Sequence, residues 1–402
     1  MAIIDLFSRT PSPEKFAQLL MTAAQKSGVS KPMQFDADDF RILVGGADQV
    51  VNLHNLYREY VAAPKHERDA LLAKCASLFV TEEVPSSFED VKDRLMPLVR
   101  ARGYCEYLRL TQLASKSEAS PLTVFEPFSS DAVLMLAIDS EQSMSMVTTD
   151  NLRAWGMSFG EVMATATDNL RDVTVDSLAE IIPGVFVSDW NDAYDSSRIL
   201  LPDLAFRMFA APVAMVPTRG RLLLTSRHNP TGMLAMIDLA MQCAEEEERT
   251  VSAVMYEFGE HGPVEFAPEE PVVMAKLESL RRQYLLEDYG VQSKLLDQIH
   301  EQQDIDIFVA TYMLIENSRT GEQYSLSTWA KDVDSLLPRT DRIVLGALGE
   351  EPRIEVRWDD LVRIAGELMV LQPEAYPARY RVEQFPGDEQ LRALKQCAVG
   401  LN

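Results

Sequence analysis

The chain has 402 residues, of which 47% are hydrophobic and 25% are charged, a composition typical of a soluble globular protein rather than a disordered one. Its 62 acidic and 38 basic residues give a formal net charge of -24, which disfavours nonspecific binding to nucleic acid or anionic lipid. No apolar run approaches the roughly 20 residues that a membrane helix needs, so no membrane is expected as a partner. Because of the negative net charge, nucleic acid is not expected as a partner either.

The first hundred residues predict a mainly helical region, because apolar residues recur at intervals of three and four. A first helix is expected over residues 13–26 with Ser12 as its cap, followed by a short strand pair at residues 33–35 and 40–44. Three further helices are predicted from their apolar positions, which are Val50, Leu53, Leu56, Tyr57 and Tyr60 in the first, Leu71, Leu72, Cys75 and Leu78 in the second, and Val91, Leu95, Leu98 and Val99 in the third.

The middle of the chain alternates predicted strands and helices. Residues 114–121 form a loop or domain edge, and residues 132–138 are a continuous apolar run typical of a strand buried on both faces. Thr148 or Thr149 caps the next helix, which the Trp155-Gly156 pair interrupts. Further strands are predicted at residues 184–187, 213–216 and 222–225, and further helices at residues 196–209 and 232–246.

The C-terminal third opens with a helix predicted over residues 271–300 and a strand over residues 305–314. Strands at residues 324–329 and 342–345, a helix at residues 358–368 and an irregular tail at residues 373–386 follow. The pattern therefore predicts an α+β fold with a helical N-terminal region followed by mixed sheet and helix layers. Three regions are expected, a mainly helical one at residues 1–117, an α/β domain at residues 118–265 and an α+β domain at residues 266–402.

The acidic loop at residues 189–195 clusters Asp189, Asp192 and Asp195, whose oxygens could hold a divalent cation. A calcium loop would carry glycine six positions in and glutamate twelve positions in, but this chain has Tyr194 and Leu200 there. We therefore favour a turn whose aspartates cap the helix that begins near Ser196, and no metal is expected.

A turn between two predicted strands presents Arg219 and Arg221, and His228 follows nearby. Paired arginines can bind a carboxylate or a phosphate through two-point contacts, although solvated cations on a hairpin are more common. Together with the three aspartates and Arg198, these residues form the predicted ligand-binding site.

Other catalytic or metal patterns are missing from the sequence. No two of the five histidines lie three to five residues apart, no serine has a Gly-x-Ser-x-Gly setting, and Gly45-Gly46 lacks the remainder of a phosphate-binding loop. The four cysteines are scattered singly and are predicted to be buried, reduced thiols. With no secretory signal at the N-terminus, they indicate a cytoplasmic protein.

Several segments in the middle of the chain resemble the YtpQ-like family of bacterial proteins of unknown function, over about residues 90–245. They are Leu95-Met96-Pro97-Leu98-Val99-Arg100, Ala137-Ile138-Asp139, Trp155-Gly156 with Asn169-Leu170, Tyr194-Asp195-Ser196-Ser197-Arg198, and Val213-Ala214-Met215-Val216-Pro217. Family members tend to have Arg-Asp after the Val-Pro-x element, whereas this chain has Arg219-Gly220. The resemblance implies no activity, cofactor or catalytic residue.

The sequence thus favours an acidic, cytoplasmic interaction or scaffold protein without catalytic activity or cofactor, whose partner is another protein. One alternative is a small-ligand-binding protein or hydrolase with its site at residues 189–228. A second alternative is an accessory or immunity-type protein that binds a basic protein partner.

Overall fold

Chain contacts in the computed structural model separate two units. The structure describes residues 11–37, 40–44, 49–77, 79, 87–115, 123–140, 144–175, 177–246, 249–260, 262–317, 321–346 and 353–399. The first unit comprises Met1–Met96, Ser115–Val124 and Leu136–Asn169, and the second comprises Pro97–Ala114, Phe125–Met135 and Leu170–Asn402. The three regions expected from the sequence stay a prediction.

The first unit begins with a layer of helices on a small antiparallel sheet. Its elements are α1 Pro13–Lys26, β1 Met33–Asp36, β2 Arg41–Val44, β3 Gln49–Asn52, α2 His54–Ala62 and α3 Arg68–Ser77, and the strand order is β1-β2-β3. The backbone N–H of Lys15 donates to Ser12 Oγ at 3.3 Å, so the predicted capped helix is confirmed. Phe16, Leu20 and Ile42 are fully buried where the helices cover the sheet.

Two of the predicted helices in this region were wrong in part. Val50 belongs to β3, where it pairs with Leu43, and the helix begins only at His54. The segment that carries Leu95, Leu98 and Val99 is not helical but forms β4 Leu95–Ala101. All of residues 95–100 are buried, as in a strand covered on both faces, and Pro97 has no N–H for a helical hydrogen bond.

The helix of this region, α4 Arg102–Ser115, follows β4 and was not predicted. The expected strand at residues 132–138 is confirmed as β6 Ala132–Asp139. β5 Phe125–Pro127 pairs antiparallel with the first half of β6, and these residues belong to the second unit. β7 Met144–Met146 pairs antiparallel with the second half of β6, and these residues belong to the first unit. Residues 116–122, most of the predicted loop, lie outside the described residues.

The interrupted helix was predicted correctly. α5 Thr149–Trp155 has Thr148 as its cap, with Asn151 N–H donating to Thr148 Oγ1 at 3.3 Å and Thr148 N–H donating to Asn151 Oδ1 at 2.8 Å. Gly156 then takes a left-handed conformation with φ of 65°, and α6 Phe159–Asp172 begins three residues later. A side chain at position 156 would strain this turn.

The second unit contains a six-stranded antiparallel sheet with helices on both faces. Its strands are β8 Leu178–Ile182, β9 Val185–Ser188, β10 Pro212–Met215, β11 Leu223–Ser226, β12 Met255–Gly259 and β13 Gly262–Phe266, in the order β13-β12-β10-β11-β9-β8. The helices are α7 Pro202–Met208, α8 Pro230–Glu246 and α9 Pro271–Gln303. Met233 and Met236 of α8 and Leu277 of α9 pack on Met215 and Leu223 of the sheet.

The strands expected at residues 184–187, 213–216 and 222–225 are confirmed as β9, β10 and β11. The helix expected at residues 196–209 is broken instead into a short 3-10 turn at Ser196–Leu200 and α7. Pro202 explains the break, because proline is accepted at the first turn of a helix but not inside one.

The C-terminal part of the second unit carries two four-stranded mixed sheets. Its elements are β14 Phe308–Val309, β15 Met313–Glu316, β16 Gln323–Ala330, β17 Ser335–Pro338, β18 Arg342–Gly346, β19 Ile354–Arg357, α10 Trp358–Ala365, β20 Val370–Leu371, β21 Arg379–Val382 and α11 Asp388–Gln396. The strand orders are β14-β17-β21-β20 and β15-β16-β18-β19. Trp329, Leu337 and Val356 share one buried core with helices α10 and α11.

The single strand expected at residues 305–314 was wrong. β14 pairs with β17 and β15 pairs with β16, so the alternating pattern covers a switch between two sheets. The irregular tail was also wrong in part, because β21 lies beside β17 and Val382 is fully buried.

The fold is α+β, with a helix-rich N-terminal region followed by mixed sheet and helix layers. None of the helices in the described part of the chain combines the length and apolar character needed to cross a membrane. Cys75 is buried as predicted, whereas Cys105, Cys243 and Cys397 are partly exposed, and all four are free thiols.

Candidate functional site

Each aspartate of the acidic loop accepts a hydrogen bond from a different donor. Asp189 accepts from the Asn191 side chain at 2.8 Å, and Asp192 Oδ1 accepts from the backbone N–H of Tyr194 at 3.0 Å. Asp195 is fully buried and accepts from the backbone N–H of Trp190 at 3.2 Å. Across the described residues, no group of three or more metal-ligating side chains is placed to hold a metal ion.

Arg198 is enclosed by the loop that precedes it. Its guanidinium donates to both carboxylate oxygens of Asp192, donates through Nε to Thr174 Oγ1 at 3.0 Å and lies 4.3 Å from the centre of the Trp190 ring. Burial raises the pKa of Asp192, but the hydrogen bonds from Arg198 and Tyr194 outweigh it and hold that pKa below its ordinary value. Asp192 and Arg198 thus form an ion pair with each other.

The remaining predicted site residues have different neighbours. Arg219 stacks on the Tyr104 ring at 4.9 Å, Arg221 donates to its neighbour's carbonyl oxygen on Gly220 at 3.1 Å, and His228 is exposed after β11. Asp189 lines a small depression of about 350 Å³ with residues of β8 and α7. The ligand-binding site formed by the seven residues stays a prediction.

A larger cavity of about 720 Å³ lies elsewhere in the second unit. Its walls come from the residues before β6 and β12, one side of α9, the first residues of β16 and β18, the start of α10 and the loop before β21. These segments span residues 101–378, so no local motif marks the site. The volume suits a small organic molecule.

Asp131 lies at one wall of this cavity. Its Oδ1 accepts from the hydroxyls of Ser129 at 3.0 Å and Ser252 at 2.7 Å, and its Oδ2 accepts from the backbone N–H of Ala253 at 2.8 Å. The Tyr256 hydroxyl lies 2.9 Å from Ser129 Oγ and 2.8 Å from Ser252 Oγ. Burial raises the pKa of Asp131, and the hydrogen bonds from Ser252, Ala253 and Ser129 oppose that rise.

Asp288 of α9 is the second carboxylate at this wall. Burial, the neighbouring Glu287 and the charge of Asp131 raise its pKa to about 7. Its carboxylate rests against Gly103 at the start of α4, where a Cβ would overlap both oxygens. Burial and the same two aspartates also raise the pKa of Tyr376, which lies under the guanidinium of Arg102 at 4.6 Å.

Aromatic rings form much of the remaining wall. Tyr289 stacks on Tyr312 with ring centres 4.9 Å apart and donates to the carbonyl oxygen of Ala378 at 2.7 Å. Tyr284, Tyr324 and Trp358 also line the cavity. Arg379 already lies over the Tyr289 ring at 4.9 Å and Arg342 over the Tyr324 ring at 3.7 Å, so these two rings have a cation of the protein at one face.

Asp341 has the opposite electrostatic setting to Asp288 within the same cavity. It accepts from Arg282 Nε at 2.7 Å and from the backbone N–H and hydroxyl of Ser325 at 2.7 and 2.8 Å. Burial raises its pKa, but these contacts outweigh burial and lower it below the ordinary value. Asp341 is therefore an ionised carboxylate already matched by Arg282.

Sequence reasoning missed this site although one signal was present. Leu277, Leu280 and Tyr284 form an apolar stripe along α9, and Asp288 continues the stripe four residues after Tyr284. A carboxylate on the buried face of a helix is costly unless it has a partner or a function. Asp131 has a comparable position, directly before the buried strand β6.

Comparisons of the chain with protein-family models, with curated proteins and with solved structures found no match. The function is therefore argued from the geometry and chemistry of the site.

Proposed function

We propose that the protein binds a small organic cation, such as a protonated amine, in the 720 Å³ cavity. The observation that carries this proposal is the placement of Asp131 and Asp288 at one wall, with no ion-pair partner for either among the described residues. Two like charges held near each other and partly removed from water are destabilising, and a bound cation would compensate both.

The charge balance of the lining supports a cationic ligand. Among the described residues, seven acidic side chains and five arginines line the cavity. Three of these arginines already form ion pairs, Arg281 with Glu278, Arg282 with Asp341, and Arg342 with Glu322 and Glu355. The net charge of -24 adds a long-range field that attracts cations toward the protein.

The tyrosines supply the second part of the recognition. A protonated amine at Asp288 would gain carboxylate hydrogen bonds, and its hydrocarbon part would pack on the aromatic rings that line the cavity. An anionic ligand placed beside Asp131 and Asp288 would instead be repelled by both carboxylates. This difference favours an amine over a phosphate or a carboxylic acid in this cavity.

Binding of an amine beside Asp288 is expected to release the proton of that carboxyl group at pH values below its pKa. The pKa of Asp288 is raised to about 7, so a cation that prefers the ionised carboxylate displaces its proton below that pH. The affinity is expected to rise by up to about tenfold per pH unit as the pH approaches 7, and to level off above it.

Calorimetric titration with benzylamine and with putrescine at pH 8 tests the proposal. At least one amine is expected to bind with a dissociation constant below about 1 mM, and Asp288→Asn is expected to weaken it at least about tenfold. Asp306→Asn, which neutralises an exposed aspartate outside the cavity, is the matched control. Absence of binding by both amines, or equal affinity for both variants, would refute an amine site.

We also propose a cytoplasmic location and membership of the YtpQ-like family for the middle of the chain. The four free thiols and the acidic charge support the location, and the segments around Trp155-Gly156 and Asn169-Leu170 support the family. A disulfide between any two of the four cysteines in protein from its native cell would contradict the location. Interaction with a protein partner stays a prediction.

A further inference from the structure

Arg100, near the end of β4, is a buried arginine with an unused donor. Its residue is 2% exposed, its Nη1 donates to the carbonyl oxygen of Val99 at 2.9 Å, and its Nε has no hydrogen-bond partner. A buried guanidinium is normally paired with a carboxylate or fully hydrogen-bonded. Arg100 Nε is therefore a buried donor without an acceptor among the described residues.

Arg219 and Arg249 approach the same place from two neighbouring segments. Val99 N–H donates to Ser197 Oγ at 3.1 Å, and the backbone N–H of Ser196 donates to the carbonyl oxygen of Arg219 at 3.2 Å, which brings the β10–β11 turn next to β4. An antiparallel β-bridge joins Thr218 to Thr250. It places Arg219 and Arg249, the residues beside them, on two adjacent segments of the chain.

Two buried hydroxyl groups accompany these arginines. Ser196 and Thr218 are both fully buried, and neither Ser196 Oγ nor Thr218 Oγ1 has a hydrogen-bond partner. Ser196 directly precedes the serine that contacts β4, and Thr218 directly precedes Arg219. These hydroxyls are buried groups without a hydrogen-bond partner in the 3-10 turn and the hairpin, the two segments that meet β4.

The cluster has an excess of positive charge. Burial and repulsion by Arg219, with a smaller contribution from Arg249, lower the pKa of Arg100 to about 9. Burial and Arg249 also lower the pKa of Arg219. Within the described part of the chain, no carboxylate lies at ion-pairing distance from any of the three guanidinium groups, although the chain has 62 acidic residues.

We propose that Arg100, Arg219 and Arg249 bind a phosphate group. Three guanidinium groups provide more donors than the two oxygens of a carboxylate can accept, whereas a phosphate dianion presents three or four oxygens and offsets two of the three positive charges. Exposed Arg249 is the entrance side, and buried Arg100 is the base of the site. The site goes beyond the amine cavity, since none of the three arginines lines that cavity.

Titration with inorganic phosphate at constant ionic strength, balanced with sodium chloride, tests this site. Phosphate is expected to bind the full-length chain, and Arg249→Gln is expected to weaken it at least tenfold because an exposed side chain can be replaced without loss of the fold. Arg363→Gln is the matched control, since Arg363 is an exposed arginine on α10 paired with Asp360. Binding that remains equal in both variants, or no phosphate binding below 10 mM, would overturn the proposal.

Two further arms identify the source of the phosphate and separate this site from the cavity. Tighter binding of phenyl phosphate than of inorganic phosphate indicates a phosphomonoester ligand, and the reverse indicates free phosphate, both in support of the site. Asp288→Asn is expected to leave phosphate affinity unchanged, so loss of amine binding with retained phosphate binding shows two independent sites. A phosphate affinity that changes with Asp288→Asn as much as with Arg249→Gln contradicts a separate site.

Discussion

The guanidinium of Arg198 and the carboxylate of Asp192 form a two-point ion pair, with Nη1 2.8 Å from Oδ1 and Nη2 2.5 Å from Oδ2. The arginine side chain is fully buried, whereas the aspartate side chain is 37% exposed. The two partners are therefore unequal, because loss of the carboxylate leaves a buried charge, and loss of the arginine leaves a carboxylate that water can reach.

Replacement of Asp192 by alanine is expected to lower the free energy of unfolding by about 3 kcal/mol, since it uncovers the charge of Arg198. The change is measured by urea unfolding followed through tryptophan fluorescence, for which Trp190 lies beside the pair. Asp203→Ala is the control, because Asp203 pairs with Arg171 on the surface and its loss is expected to cost about 0.5 kcal/mol or less. Equal losses for the two variants would contradict the asymmetry.

Asp288 is expected to make stability depend on pH. Its pKa is raised to about 7 in the folded protein from an ordinary value near 3.8, so the folded state holds a proton that the unfolded state has lost between these values. Its contribution to stability is therefore complete below pH 4, decreases as the pH rises toward 7, and is lost above 7. The decrease is at most about 1.4 kcal/mol per pH unit.

Asp288→Asn removes this titration while keeping the shape of the side chain. The variant is expected to be more stable than the natural protein by about 2 kcal/mol at pH 8 and to differ little from it at pH 4. Urea unfolding at a series of pH values measures the difference. A constant difference across the series would show that position 288 affects packing and not proton binding.

Local signals in the sequence predicted local structure well. Ser12 and Thr148 accept the backbone hydrogen bonds expected of helix caps, and Gly156 has the left-handed conformation that the Trp-Gly break requires. Each of these features depends on a few neighbouring residues. The sequence alone was therefore sufficient for them.

Features set by distant partners could not be predicted. Residues 305–314 alternate as one strand would, but their partners β17 and β16 belong to different sheets. The amine cavity joins Asp131 to Asp288 across more than 150 positions of sequence, and no spacing rule links them. Arg219 was selected for its place on a turn, yet its neighbours Arg100 and Arg249 depend on how three segments meet.

Gly103 is expected to tolerate no side chain, because a Cβ there would overlap the Asp288 carboxylate. Gly103→Ala should displace Asp288, lower stability by about 1–3 kcal/mol and weaken amine binding. Gly290→Ala is the control, since Gly290 lies on the same helix as Asp288, has open space around it, and should gain about 0.5–1 kcal/mol.

A double variant separates the contact from general strain at position 103. Asp288→Ala in the Gly103→Ala background removes the carboxylate that the new methyl group meets. The two changes together should then cost less than the sum of the single changes. Additive costs would show that the carboxylate is not what excludes a side chain from position 103.

Asn169 on α6 joins the helix to the segment that leads into β4, within the first unit. Its Nδ2 donates to the carbonyl oxygens of Lys92 at 2.6 Å and of Leu95 at 2.9 Å. Asn169→Ala is expected to lower the free energy of unfolding by about 1–2 kcal/mol because both acceptors lose their donor. Asn169→Asp should lower the free energy of unfolding further, since it places a charged acceptor opposite two carbonyl oxygens.

Asp168→Ala, at the exposed neighbouring position, is the control and is expected to change stability by less than about 0.5 kcal/mol. The three variants are compared by thermal unfolding, and an aspartate variant no less stable than the alanine variant would show that the side chain is not a donor to these carbonyls.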